Sequence, residues 1–176
     1  MMFSMSGCTR QCGMVLLISL VFLLLLSLVG LSSMQGAIAQ QKIASNLWHR
    51  NQSFQRAESG LRLGEVSVRR MPSFLPLCRS ISTCAPPGEA FSVVSAGMNT
   101  VSGIDWIAFM DGLYGIQLLG PALGVAHLAP QTPAALYRVT AVGFGGPSRT
   151  VLESVYAQVG EEGSAQFRRV TWRQLQ

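Results

Sequence analysis

Between Arg10 and Lys42 the chain carries no Asp, Glu, Lys or Arg. Inside that gap Met14–Met34 reads MVLLISLVFLLLLSLVGLSSM, 21 residues interrupted only by serines and Gly30. A helix of that length rises about 31 Å, which matches a hydrocarbon core of roughly 30 Å. A cleaved secretory signal is the competing reading, but its apolar region is typically about 7–15 residues and ends at a small-residue site. Ala37-Ile38-Ala39 has the look of such a site; the run before it is too long. The expectation is a single transmembrane helix. Its flanking charges, Arg10 on one side and Lys42 and Arg50 on the other, do not decide its orientation.

The cysteines bear on that question. Cys8 and Cys12 precede the apolar run, whereas Cys78 and Cys84 follow it. A membrane between them would put the first pair in a reducing compartment and the second in an oxidising one. Five residues separate Cys78 from Cys84, enough for a small closed loop. A disulfide there would contribute ~2 kcal/mol on the chain-entropy account; two unpaired buried thiols are the alternative. The short leader is expected inside and the rest of the chain outside the cytoplasm.

Helical patterning continues past the apolar run. Ile43, Leu47, Phe54, Ala57 and Leu61 recur at spacings of 4, 7, 3 and 4, with Lys42, Arg50, Arg56, Glu58 and Arg62 falling mainly between them. No proline occurs from Met14 to Met71, and Gly60 and Gly64 are placed to stop a helix. One continuous helix from about Met14 to about Gly64, on the order of 75 Å long, is expected. Its first half is apolar all round and its second half has one face to bury.

Beyond Gly64 the composition changes. Met71–Gly88 holds four prolines and the second cysteine pair, and reads as an irregular loop. Short segments rich in Val, Tyr, Phe and Trp follow at Phe91–Val94, Ile104–Phe109, Leu136–Phe144, Thr150–Gln158 and Gln166–Trp172, and these read as strands. Phe144-Gly145-Gly146-Pro147-Ser148 marks a turn that should join two of them as an antiparallel hairpin. Gly112–Pro133 shows no period that assigns it. The fold class is therefore α+β, a long N-terminal helix packed on a small antiparallel sheet.

Few function classes fit. The net charge of +5 comes from scattered arginines, paired only at Arg69-Arg70 and Arg168-Arg169, so there is no basic face for nucleic acid. His49 and His127 are the only histidines, and His49 reads as an exposed helix residue. Asp105 and Asp111 could make a carboxylate pair but read as surface residues. Cys8 and Cys12 alone are a weak metal motif. No phosphate-binding loop, nucleophile elbow or metalloprotease motif is present. Neither a catalytic site, a metal nor a cofactor is expected.

The residues at the start of the helix resemble a type IV prepilin leader: Arg10-Gln11-Cys12-Gly13, then the apolar run. The segment through Glu65 is similar in particular to the PilX-type minor pilins, which share the pattern carried here by Asn46, Arg50, Phe54, Ala57, Glu58 and Leu61. Tyr137–Ala141 and Leu152–Tyr156 resemble that group's C-terminal part; the chain between does not. The resemblance implies a pilin-like fold and cleavage between Gly13 and Met14 by a prepilin peptidase, with methylation of the new N-terminus. It implies a leader at 1–13, a membrane helix at 14–34, an amphipathic continuation at 35–65 and a periplasmic β-rich domain at 66–176. The implied partners are the major pilin, other minor pilins, inner-membrane lipid and a large tip adhesin. Most pilins carry Glu at the fifth mature position, where this chain has Ile18. By the same resemblance the missing carboxylate suits a subunit with no predecessor in the filament, one that primes or caps a pilus; relaxed constraint in a rarely used subunit is the other explanation. A minor pseudopilin of a type II secretion system is an alternative, as is a membrane-anchored periplasmic enzyme or binding protein.

Overall fold

A computed structural model describes residues 12–70, 75–125, 129–160 and 165–176. Residues 1–11, with Cys8 and most of the expected leader, lie outside the described residues, and so does His127. The chain divides into two compact units, Met1–Ser45 and Asn46–Gln176.

In the first unit every described residue from Met14 to Ser45 is helical and exposed. Leucines, valines and Phe22 stand uncovered on all sides, between 47% and 68% exposed from Met14 to Met34. A helix apolar all round needs lipid or other helices as its surroundings. Mean hydropathy reaches 3.0 over its best window, and it is the one described helix long and apolar enough to cross a membrane. The Ser19 hydroxyl donates to the Leu16 carbonyl at 2.9 Å, which satisfies it without an outside partner.

This helix, α1, runs from Cys12 to Arg70 without a break. Gly60 and Gly64 do not stop it. Arg69 and Arg70 occupy the last turn, where cations complement the helix dipole. Pro72 follows closely, and a proline disfavours helical geometry in the residue before it.

In the second unit the C-terminal half of α1 lies on a six-stranded sheet of order β1-β2-β3-β4-β5-β6. The strands are β1 (Gly97–Met98), β2 (Asp105–Phe109), β3 (Gly112–Leu123), β4 (Pro133–Gly145), β5 (Ser148–Val159) and β6 (Gln166–Gln174). Every neighbouring pair is antiparallel. The β4–β5 hairpin turns on Gly146-Pro147, with Gly146 at φ +56°, the positive value that a two-residue hairpin demands. The β2–β3 hairpin turns on Met110-Asp111.

Ser53, Ala57, Gly60, Leu61, Gly64, Glu65 and Val68 form the buried stripe of α1, at helical spacing. They face the odd-numbered residues of β4 and the even-numbered residues of β3 and β5, in a core containing Tyr114, Tyr137, Val139, Ala141, Leu152 and Tyr156. The stripe differs from the expected one in kind. Leu47 is 54% exposed, and small residues do the contacting because helix and strand backbones nearly touch. A Cβ on Gly143 would sit 2.1 Å from the Ser53 carbonyl oxygen, and one on Gly145 would sit 2.3 Å from that of His49. On the helix side, a Cβ on Gly64 would lie 2.4 Å from Val139 Cγ1 and one on Gly60 2.6 Å from the Phe109 ring. These glycines are packing positions.

The sheet's other face is buried too. Ala90 and Ile104, from the segment before β2, pack with Trp106, Leu113, Val142 and Val151. Phe91–Val94 is not a strand: Gly88–Phe91 forms a 3₁₀ turn after Pro86-Pro87, with the Glu89 carbonyl accepting from the amides of Ser92 and Val93. From residue 75 to residue 88 the segment is more ordered than its composition implies. Leu77 makes a parallel bridge to Leu118, Ile81–Cys84 forms a single helical turn (α2), and Cys78 and Cys84 are joined by a disulfide with Cα atoms 5.1 Å apart. Gly112–Pro133, unassigned from sequence, supplies β3 and the stretch before β4. At the far edge, among the described residues, β6 pairs only with β5, and its register shifts where Val170 stands as an extra residue between Arg169 and Thr171.

Candidate functional site

The N-terminal positions singled out from sequence sit at the start of α1. Gly13 lies in its first turn, followed by Met14 at 67% exposed. Ile18 is one turn further on, 50% exposed, in an all-apolar surround. A hydrocarbon surround would accept isoleucine here freely, whereas a carboxylate in it would need a partner. Gly13, Met14 and Ile18 fall on one short stretch because the helix has already begun.

The ionisable groups of the second unit tie elements together. Arg56 on α1 donates to the Phe144 carbonyl and pairs with Asp111 in the β2–β3 turn at 2.8 Å. Asp111 is therefore the partner of an arginine, while Asp105 is exposed at the start of β2. Glu65, also on α1, pairs with Arg169 of β6 at 2.6 Å, and Arg169 Nε donates to the Tyr156 hydroxyl at 2.6 Å. Burial pushes the Tyr156 pKa up to about 12, with the hydrogen bond to Glu65 adding to the rise and Arg169 opposing it. Burial disfavours the charge on Arg169, but hydrogen bonds to Tyr156 and Glu65 outweigh it and its pKa is raised. Ser53 and Thr150, both buried, share a hydrogen bond of 2.8 Å between helix and sheet.

The opposite face holds the most buried charge. Glu153 on β5 is 1% exposed and lies between two arginines, 3.2 Å from Arg138 Nε and 2.9 Å from Arg173 Nη2. The Arg138 contact lacks hydrogen-bond geometry, so its attraction is electrostatic. Arg138 turns its other nitrogens elsewhere: Nη1 donates to the Cys84 carbonyl at 2.6 Å and to Gln117 Oε1 at 3.2 Å. Burial lowers the Arg138 pKa, Glu153 acts against that, and Arg173 adds to it. The cost of burying two charges is offset here because each is paired and hydrogen-bonded. Sequence reasoning passed over this cluster. Its signal was present: Glu153 and Arg138 both stand at the centres of strongly apolar strands.

His49 departs from expectation. It is half-buried, its Nδ1 is buried without a hydrogen-bond partner, and a Cβ on Gly146 would lie 2.7 Å from that atom. The β4–β5 turn covers it, while Trp48 beside it is 60% exposed. Among the described residues no group of three or more His, Cys, Asp or Glu is placed to hold a metal. The clefts are open ones. One of about 400 Å³ is walled by Leu77, Ser80, Thr83, Ser102 and Gln117; another of about 480 Å³ lies between Leu63 and Val66 of α1 and Phe109 and Met110.

Residues 13–62 match the PilX N-terminal family. This N-terminal segment is similar to that of PilX-type pilins. The matched segment covers the apolar half of α1 and its continuation as far as Arg62, and stops short of the sheet. The architecture is α+β and pilin-like: a long N-terminal helix gives its C-terminal half to an antiparallel sheet. No curated protein and no solved structure matches the chain.

Proposed function

We propose that the chain is a PilX-type minor pilin that primes or caps a type IV pilus, after cleavage between Gly13 and Met14 and methylation of Met14. The observation that carries the reading is the matched segment itself: a glycine at the head of a helix whose first half suits lipid and whose second half is embedded on a sheet. Such a helix can wait in the inner membrane with the sheet domain in the periplasm, and can leave it by exchanging lipid for neighbouring apolar helices. The chemistry asked of the domain is recognition, supplied by surfaces, which suits a structural subunit. Ile18 supports the terminal position. With no carboxylate there, the subunit has nothing to offer the amine of a predecessor.

Intact-mass measurement of the N-terminus tests this. Methylated Met14 as first residue is the expected result, and Gly13→Leu should leave the leader attached. An unprocessed wild-type chain, or a cut near Ala39, overturns the reading.

A further inference from the structure

We propose that the outer edge of β2, from Ile107 to Phe109, takes an extended segment of another protein as an added strand, with side chains of that segment filling the cleft beside α1. The proposal goes beyond the pilus reading and does not depend on leader processing. The edge is open because β1 is too short to cover it. β1 pairs Gly97 with Trp106 and Met98 with Asp105, and extends no further. Ahead of it the chain bends at Ser95 and passes beneath the sheet, where Val93 joins the core around Trp106.

Main-chain groups along an antiparallel strand point alternately to one neighbour and to the other. The Asn99 amide donates to the Ile104 carbonyl at 2.8 Å, so residues 104, 106 and 108 turn outward. Ile104 and Trp106 meet the β1 hairpin; across from Ala108 no described strand lies. Its N–H and C=O are a donor and an acceptor spaced for a partner strand. Sheet edges are ordinarily guarded by charges, proline or a bulge. The β2 sequence Asp105-Trp106-Ile107-Ala108-Phe109 has one charge, at the end that β1 covers.

The same edge opens onto apolar surface. Ile107 and Phe109 lie on the α1 face of the sheet, as does Tyr114 opposite Ile107. Beside Phe109 is the cleft of about 480 Å³, walled by Leu63 and Val66 of α1 and by the fully exposed Met110. In a strand laid against Ala108, the two residues flanking the bonded one stand opposite Ile107 and Phe109 and project on this face. The cleft is where they would be buried. On its rim Arg56 is engaged by Asp111, whereas Arg62 is 3.9 Å from Glu58 with its side chain 73% exposed, which leaves donors for a carboxylate on the segment. The occupant must be narrow, because Ile107 to Phe109 is about 10 Å of strand, bounded by β1 and by the Met110-Asp111 turn. Two copies pairing these edges about Ala108 would each drive β1 into the other's turn. A lipid surface cannot present the alternating donors and acceptors of a strand. A single extended segment, apolar at alternate positions and with no strand on its own outer side, fits.

The test uses the full-length chain in its own membrane, with a benzoylphenylalanine photo-crosslinker at Met110 and, as a control, at Thr171, which is exposed on β6. The expected result is an adduct from position 110 that mass spectrometry maps to one short segment of one other protein, with no such adduct from position 171. A synthetic peptide of that segment should then bind the purified full-length chain in detergent. Ala108→Pro removes the outward N–H and leaves the ladder to β3 intact, so it should weaken peptide binding at least about tenfold; Ala108→Val keeps the amide and should change it less than about threefold. Val66→Asp, at an exposed position on the helix wall of the cleft, should also weaken binding at least about tenfold and serves where the proline disturbs the strand. An adduct with lipid alone, with a second copy of this chain, equally from position 171, or none at all overturns the proposal. So does a peptide that fails to bind, or one that binds a folded Ala108→Pro or Val66→Asp chain with parental affinity. An unprocessed Met1 terminus would defeat the pilus reading and leave each of these outcomes to judge the edge separately.

Discussion

At the scale of single residues, the helix–sheet contact depends on what is missing from side chains. Gly143 and Gly145 bring β4 against the backbone of α1 at Ser53, Ala57 and His49. The obstruction at Gly143 is a carbonyl oxygen and the Ala57 amide, neither of which can rotate away. Gly143→Ala must therefore push helix and strand apart. Overpacking of this kind costs typically about 1–3 kcal/mol, and the rigid backbone puts this site at the upper end or beyond. Chemical denaturation of the full chain in detergent should show the loss, whereas Gly88→Ala, which meets nothing within 4 Å, should be near neutral. Gly60 and Gly64 show why sequence patterning misread such positions. A glycine late in a helical pattern signals an end and a glycine against a strand signals an approach, and only the partner strand distinguishes them.

At the scale of elements, β6 is secured to the rest by Arg169, which holds Glu65 of α1 and Tyr156 of β5 together. The Tyr156 pKa of about 12 in the folded chain lies above its unfolded value near 10. A raised pKa means the folded state favours the protonated phenol. The stability this reflects is fully present below pH 10 and is lost as pH rises through about 12. Thermal unfolding followed between those limits should show a declining midpoint, and Tyr156→Phe should flatten the decline; an unchanged slope would discount the Tyr156 contribution. The same elements show what the sequence could convey. The cores of β2, β4, β5 and β6 were legible because Val, Tyr, Phe and Trp cluster between turn residues. β3 was not: Tyr114, Ile116 and Leu118 look toward α1 while Leu113 and Gln117 look away. Gly112, Gly115, Gly120 and Pro121 break up its apolar residues, whereas β4 and β5, covered on both faces as well, keep longer unbroken runs. Phe91–Val94 failed in the opposite sense, its β-branched pair being overruled by the tandem prolines that set up the 3₁₀ turn.

At the scale of the whole molecule, the apolar half of α1 and its covered continuation were both legible, since they depend on composition and period alone. The small residues that make the contact were less so. Ile18 carries the prediction at this scale. Ile18→Glu would place a carboxylate in hydrocarbon, at a cost of roughly 2.5–3.5 kcal/mol on insertion scales unless it finds a cation. If a filament predecessor supplies an N-terminal amine, the variant should become an interior subunit, detectable by labelling along the pilus shaft. Unchanged pilus numbers and an unchanged subunit position would sink the argument from the missing carboxylate.

The outer edge of β6 has a bearing on how one copy of the chain meets another. Arg168, Arg169 and Arg173 punctuate it and no carboxylate lies within it. Two copies brought edge to edge would set guanidinium groups close to one another, and the extra residue at Val170 would throw their hydrogen-bond ladders out of step. Two copies would thus be denied the cheapest route to a shared sheet. The strand completes its own fold and, by its charge, declines to continue into another copy's.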